Sequence, residues 1–227
     1  MFLIGLTGGI ASGKSTVSSI FSKEYGIPVV DADLIARKVV KPNTTGWKRV
    51  VKIFGDSILN QDQTINRDKL GAIIFNDSNK RKQLNKCLHG LIIFEMLKEI
   101  FLILIKGNRY VILDVPLLFD VKIGLWLLSY KLVVLCNDEN EQIKRLMKRN
   151  ELNESDARKR LNSQLNNQER IKLADYVIDN SNDLSYTRKQ CDNLNKIFKN
   201  SKKYLYFRFA IASLLFSGFY IMSKLLF

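Results

Sequence analysis

The sequence predicts an α/β fold in which helices flank a parallel sheet and the first strand runs into a phosphate-binding loop. Three observations carry that expectation. Gly8-Gly9-Ile10-Ala11-Ser12-Gly13-Lys14-Ser15, followed by Thr16, has the form G-x-x-x-x-G-K-S. The apolar residues 1–7 precede it, and Val17, Ile20 and Phe21 recur at helical spacing after it, giving a strand–loop–helix order. Two later apolar runs, Val29-Val30-Asp31 and Val111-Ile112-Leu113-Asp114, read as further short strands that end in acids.

The loop has a direct physical reading. Glycines let the backbone wrap an anion, because no Cβ opposes a positive φ. Successive amide N–H groups then share one concavity at the positive end of a helix. Lys14 adds a point charge for the β- and γ-phosphates, and the Ser15 hydroxyl suits Mg²⁺. A glycine-rich turn that binds nothing is the bland alternative. A full eight-residue match between a strand and a helix speaks against it.

At 227 residues the chain has room for one α/β domain with an appendage, and its 46% hydrophobic content supports a buried core. With 36 basic and 22 acidic residues the net charge is +14, which suits polyanionic substrates, nucleic acid or an anionic membrane. No recognised interleaving of aromatic and basic residues supports a nucleic-acid interface, so no nucleic-acid partner is expected. Cys87, Cys136 and Cys191 lack zinc-like spacing, and free thiols in a reducing compartment are the simplest expectation. The first strand starts at once, which leaves no room for a signal or transit peptide in this sequence.

Taken in order, the second strand ends in Asp31-Ala32-Asp33. Residues two apart point the same way along an extended chain, and ligands gather at the carboxyl ends of parallel strands. Both carboxylates are therefore expected near the loop, serving Mg²⁺ hydration and an acceptor hydroxyl. Capping of the next helix, expected over residues 34–40, is the competing role for Asp31. Residues 41–106 read as an inserted helical subdomain covering the acceptor. Its last part keeps helical spacing through Leu84, Leu88, Leu91, Ile92, Met96, Ile100 and Leu104. His89 is the single histidine, and among apolar neighbours it reads more readily as packed than catalytic.

Residues 110–114 form a strand whose Asp114 is placed to orient metal-bound water, and residues 115–119 are expected to continue at the sheet edge. Residues 131–135 are the next strand. Asn137-Asp138-Glu139 opens a helix carrying Arg145, Lys148 and Arg149. Residues 151–170 are polar and helical, a candidate lid whose arginines close over the transferred group. An exposed helix with salt bridges such as Asp156 with Arg160 is the alternative. Residues 174–180 read as a last strand and turn.

The tail differs in kind. Between Arg208 and Lys224 lie only uncharged, mostly apolar residues. That run alone is shorter than the ~20 residues a spanning helix needs, but flanking charges snorkel and aromatics extend it. Lys196, Lys199, Lys202 and Lys203 stand upstream, as positive charge does on the cytosolic side of such a helix. Residues 204–227 are therefore expected to associate with a membrane, placing the protein on the cytoplasmic face of an intracellular membrane. A helix packed on the domain is the alternative.

Several stretches in one order resemble the dephospho-coenzyme A kinase family over about residues 2–200. They are Leu6-Thr7-Gly8-Gly9-Ile10 running into Ser12-Gly13-Lys14-Ser15-Thr16; Asp31-Ala32-Asp33-Leu34-Ile35-Ala36-Arg37; Leu84-Asn85 with Leu88-His89; and Val115-Pro116-Leu117-Leu118-Phe119. Arg145-Leu146-Met147 with Arg149, Ser163-Gln164, and Ala174-Asp175 through Asn180-Ser181 complete the set. The resemblance implies a phosphate-loop kinase fold with a five-stranded parallel sheet, an acceptor subdomain within residues 1–203, and a lid. It implies transfer of the γ-phosphoryl of ATP, with Mg²⁺, to the ribose 3′-hydroxyl of dephospho-coenzyme A. Under it, Gly8 to Thr16 with Arg145 hold ATP, and Ser15 and Asp114 (through water) hold the metal. Lys14, Asp31, Asp33 and Arg149 are expected to be catalytic, while Asp33, Arg37, His89 and Gln164 face the acceptor. Ala11 stands where the family usually has glycine, Gly90 where proline is usual and Asn182 where glycine is common. The hydrophobic tail lies outside the bacterial pattern and is similar to that of membrane-attached eukaryotic relatives. A kinase for another nucleoside or nucleotide, or a catalytically silent membrane-attached relative, would carry much the same loop.

Overall fold

The computed structural model of the chain describes residues 1–116, 118–119 and 125–205. They divide into two compact units, one of residues 1–30 with 103 onward, the other of residues 31–102.

The first unit is built on a five-stranded parallel sheet of order β2-β3-β1-β4-β5. β1 (Phe2–Gly8) is central, between β3 (Tyr110–Asp114) and β4 (Leu128–Leu135), while β2 (Val29–Asp31) and β5 (Tyr176–Asp179) are the edges. Every residue of β1 and β3 is buried, as in a sheet covered on both faces, which is why these strands read as continuous apolar runs. β3 is an inner strand, so the chain at residues 115–116 leaves from the middle of the sheet, whereas the sequence had led us to expect residues 115–119 at its edge.

Helix α1 (Lys14–Ser19) starts where the loop motif ends and passes into a π-helical turn, Ile20–Glu24, which buries Ile20 and Phe21. At the far end of the chain, α9 (Leu184–Asn200) buries Thr187, Cys191, Leu194, Asn195 and Phe198, a helical stripe laid on the sheet. Phe198 packs its ring against Tyr110, Tyr130 and Tyr176 at 5.4–5.7 Å. The buried Tyr110 hydroxyl donates to Asn195 Oδ1 at 2.8 Å, so the aromatic layer leaves no polar atom stranded there. Between β4 and β5 lie α6 (Glu139–Asn150), α7 (Glu154–Asn162) and α8 (Asn167–Leu173), capped by Asp138, Asn153 and Asn166. The expected lid is thus two short helices. Its ion pairs are Arg158 with Glu154 and Glu139, and Lys159 with Asp156, in place of the predicted Asp156–Arg160 pair.

The second unit comprises α2 (Ala32–Lys38), α3 (Thr45–Phe54), α4 (Arg67–Asn76) and most of α5 (Ser78–Ile105). Val50, Phe54 and Ile58 form its core, with Val40, Leu84 and Leu88 packed against them. It begins at Asp31 rather than at residue 41 because the chain just after α2 is part of that packing. An added Cβ on Gly46 would lie 2.2 Å from the Val39 carbonyl oxygen, so only glycine lets α3 start there.

All three cysteines are free thiols. Cys136 and Cys191 are fully buried in the first unit, and burial pushes the Cys191 thiol up to about 12. Cys87 is half-buried in the second unit. No helix among the described residues is long and apolar enough to cross a membrane. Most of the predicted membrane tail, residues 206–227, lies outside the described residues.

Candidate active site

The phosphate loop takes its shape from backbone torsions and from amide side chains that grip it. Gly13 adopts φ +88°, and Ala11 adopts φ +58° without being glycine. The left-handed region costs an L-residue roughly 1–2 kcal/mol, so the loop keeps its form at Ala11 at the expense of strain rather than adjusting there. An added Cβ on Gly8 would lie 2.5 Å from Ser12 Oγ and 2.7 Å from the Val134 carbonyl oxygen. On Gly9 it would meet nothing closer than 3.6 Å.

Helix α1 has Gly13 at its N-cap and no side chain bonded to its first amides. Those donors face no capping group, which fits a loop whose acceptor is a phosphate. The Ser12 hydroxyl is buried with no hydrogen-bond partner among the described residues, whereas Ser15 is exposed. Lys14 Nζ pairs with the Asp114 carboxylate, which is 3% exposed and ends β3 in register with Leu6.

Three side chains hold the loop by its main chain. Gln142, on the buried face of α6, donates to the Ile10 carbonyl at 3.0 Å. Gln164 Oε1 accepts from the Ile10 N–H at 2.9 Å and from Arg170 Nη2 at 3.2 Å. Asn180 Nδ2 donates to the Ser12 carbonyl at 2.9 Å. Gln142 was not singled out from the sequence, and Asn180 only as part of a longer stretch. The available signal was a polar residue at an otherwise apolar helical position in the first case. In the second it was an amide just past a strand's carboxyl end.

The other expected residues are placed as follows. Asp31 caps α2, its Oδ1 accepting from the amides of Asp33 (2.8 Å) and Leu34 (3.0 Å). The alternative reading of Asp31 as a cap therefore describes its geometry. Within the second unit, Asp33 and Arg37 line a cavity of about 940 Å³. Lys41 and Arg67 add charge to its wall, and Val50, Leu84 and Leu88 an apolar side. His89 is exposed and is not among the residues lining that cavity, so it is neither packed in the core, as its neighbours suggested, nor in that wall. Gln164, expected at the acceptor, has its amide oxygen engaged by the phosphate loop. Arg145 pairs with Glu141 at 3.0 Å, and Arg149 is exposed, its Nε donating to Asn150 Oδ1 at 3.0 Å.

A lysine-bearing loop that opens a helix, with an acid ending the adjacent strand of a five-stranded parallel sheet, defines a phosphate-loop kinase fold. A family model described as dephospho-CoA kinase matches residues 2–185, and this chain belongs to that family. A Danio rerio dephospho-CoA kinase domain-containing protein is 46% identical over 215 residues, covering 94% of this chain and 93% of its own. Dephospho-CoA kinase of Oryza sativa subsp. japonica is 46% identical over 190 residues, with coverages of 84% and 81%. Among solved structures, dephospho-CoA kinase from Campylobacter jejuni superposes with a TM-score of 0.64 at 30% identity, covering 86% of this chain and 95% of that one. A Thermus thermophilus protein reaches a TM-score of 0.74 at 24% identity, with coverages of 86% and 96%, a likeness of fold.

Proposed function

We propose that this chain transfers the γ-phosphoryl group of ATP to the ribose 3′-hydroxyl of dephospho-coenzyme A. The observation that carries the reading is the loop itself: left-handed turns at Ala11 and Gly13 lead into an uncapped helix start, with Lys14 and Asp114 beside it. Membership of the family, with relatives named dephospho-CoA kinase, supports the acceptor.

The residues fit ATP with Mg²⁺. No cluster of three His, Cys, Asp or Glu among the described residues could cage a cation by itself. An ion carried on nucleotide phosphates needs only one or two protein groups, and the Ser15 hydroxyl and the Asp114 carboxylate supply them, the latter through water. The ion's contribution when bound is neutralisation of charge on the phosphates. The amides of residues 8–16 orient the triphosphate, and Lys14 holds the β/γ bridge. Asp33 hydrogen-bonds the acceptor hydroxyl and takes its proton, and Arg37 steadies the acceptor. Asp31 keeps the backbone of Asp33 fixed through its cap and supports metal hydration. The observed placement favours Asp33 and Arg37 over His89 and Gln164 as acceptor contacts. Arg145, now paired to Glu141, and the exposed Arg149 reach the phosphates when the lid of residues 151–170 closes. In phosphoryl transfer such positioning and charge supply most of the catalysis.

The test is incubation of the full chain with γ-labelled ATP and a panel of acceptors. Label should enter dephospho-coenzyme A and stay out of nucleosides, nucleotides and small alcohols. Labelling of a nucleoside or nucleotide instead would show a different kinase. Binding of Mg²⁺–ATP without any transfer would show a silent relative.

We also propose that residues 204–227 anchor the protein to the cytoplasmic face of an intracellular membrane. The Danio rerio likeness covers more of the chain than residues 1–205 supply, so it reaches into this segment. Carbonate washing of membranes should leave the full chain in the pellet and release one truncated before Tyr204. Equal release of both would dismiss the anchor.

A further inference from the structure

Asn180 and Thr187 form a buried relay beneath the phosphate loop. Asn180 follows β5 and is 8% exposed, and Thr187 on α9 is fully buried. Both ends of the Asn180 amide are engaged: Nδ2 donates to the Ser12 carbonyl (2.9 Å), and Oδ1 accepts from the Thr187 hydroxyl (2.8 Å). The polarity of the relay is forced. A carbonyl oxygen only accepts, so the NH₂ end must face Ser12, and the oxygen end must then receive the Thr187 proton.

The consequence follows from peptide planarity. In a trans peptide the C=O and the N–H of one plane point opposite ways. Fixing the Ser12 carbonyl toward Asn180 therefore aims the Gly13 N–H away from Asn180. That N–H meets no acceptor among the described residues. Gln142 does the same one turn earlier: its bond to the Ile10 carbonyl aims the Ala11 N–H.

We infer that Asn180, oriented by Thr187, is a positioning residue that aims the Gly13 amide at the phosphate of ATP. It touches neither substrate, and it acts through one peptide plane. The inference rests on reading residues 8–16 as the ATP site, and it does not depend on which acceptor is used.

The test compares Asn180→Ala, Thr187→Val and Thr187→Ser in the full chain. For each, calorimetry gives the Kd for Mg²⁺–ATP, and steady-state rates give kcat and the KM for each substrate. Removing one preorganised donor outright costs about 10²–10³-fold, and Asn180→Ala leaves the Gly13 N–H in place but unaimed, so kcat/KM for ATP should fall by about 10- to 10²-fold while the KM for dephospho-coenzyme A stays within twofold. Thr187→Val, which removes only the orienting hydroxyl, should lower it about tenfold, and Thr187→Ser, which restores a hydroxyl, should bring it back to within twofold. ATP affinity and kcat/KM within twofold of the parent in Asn180→Ala would overturn the inference. A loss in Thr187→Ser as large as or larger than that in Thr187→Val would overturn it too, because serine keeps the hydroxyl and loses only the methyl, and keeping the hydroxyl would then not preserve the loop. Should Asn180→Ala fail to fold, the two Thr187 variants decide alone. Should the parent fail to phosphorylate dephospho-coenzyme A, the proposed function falls, and the ATP affinities of the same variants still decide this inference.

Discussion

Replacing Lys14 with alanine should lower kcat/KM for ATP by about 10³-fold, more than any change to the proposed base Asp33. The reason lies in what each group does. Phosphoryl transfer spreads charge over oxygens that the loop already holds, and Lys14 is the cation built into that loop. Asp33 moves one proton, a contribution of about 10²–10⁴-fold in general, smallest where bond breaking to the leaving group runs ahead of attack. The variant also removes the cationic partner of Asp114, a carboxylate that is 3% exposed. Depriving such a buried charge of its partner costs about 3–5 kcal/mol, so the melting midpoint should fall as well. A second change separates the two effects. Lys14→Ala combined with Asp114→Asn should recover part of the lost stability and none of the lost turnover. Near-full turnover in Lys14→Ala, measured with saturating acceptor, would contradict the assignment.

Gly13→Ala should damage both stability and ATP binding. Ala11 shows that an alanine can hold φ +58° in this loop, so the torsion at Gly13, φ +88°, is not the whole argument. The collision decides. The new Cβ would lie 1.9 Å from Asn180 Nδ2, in a side chain bonded at both ends and only 8% exposed. Asn180 could yield only by releasing the Ser12 carbonyl and the Thr187 hydroxyl. Torsional strain plus two hydrogen bonds amounts to about 3 kcal/mol, and the turned peptide should weaken ATP binding at least about 100-fold. Gly71→Ala, on α4 outside the loop, is the control, since its Cβ would meet nothing within 4 Å. Thermal melts and Mg²⁺–ATP calorimetry on both variants check the contrast. A Gly13→Ala protein with the parent's midpoint and affinity would show that Asn180 is free to move.

The sequence exposed most of what depends on local pattern. The start of α1 at Lys14, the strand ending at Asp114, and the long helix through Leu84, Leu88 and Leu91 all follow from period and motif. It concealed what depends on partners far along the chain. Gln142 lies 132 residues from the Ile10 carbonyl it holds, and Asn180 lies 168 from that of Ser12. A buried amide on a helix reads like any other polar residue until its acceptor is known. Strand order is likewise invisible in a list of strands, which is why residues 115–119 were expected at the edge of a sheet whose third strand is internal. Asp31 illustrates the opposite case: the cap reading and the metal reading were both legible, and only the distances show that its oxygen engages two helix amides.

The cysteines give this enzyme built-in reporters. Cys87 belongs to the helical unit and Cys136 and Cys191 to the unit built on the sheet, the last two at 0% exposure. A thiol reacts only when it reaches solvent as thiolate, so alkylation of Cys136 and Cys191 counts openings of their unit, while the half-buried Cys87 reports local exposure in its own. Mass-resolved labelling with the wild-type chain would therefore separate exposure within the helical unit from opening of the unit that holds the sheet, without any engineered probe.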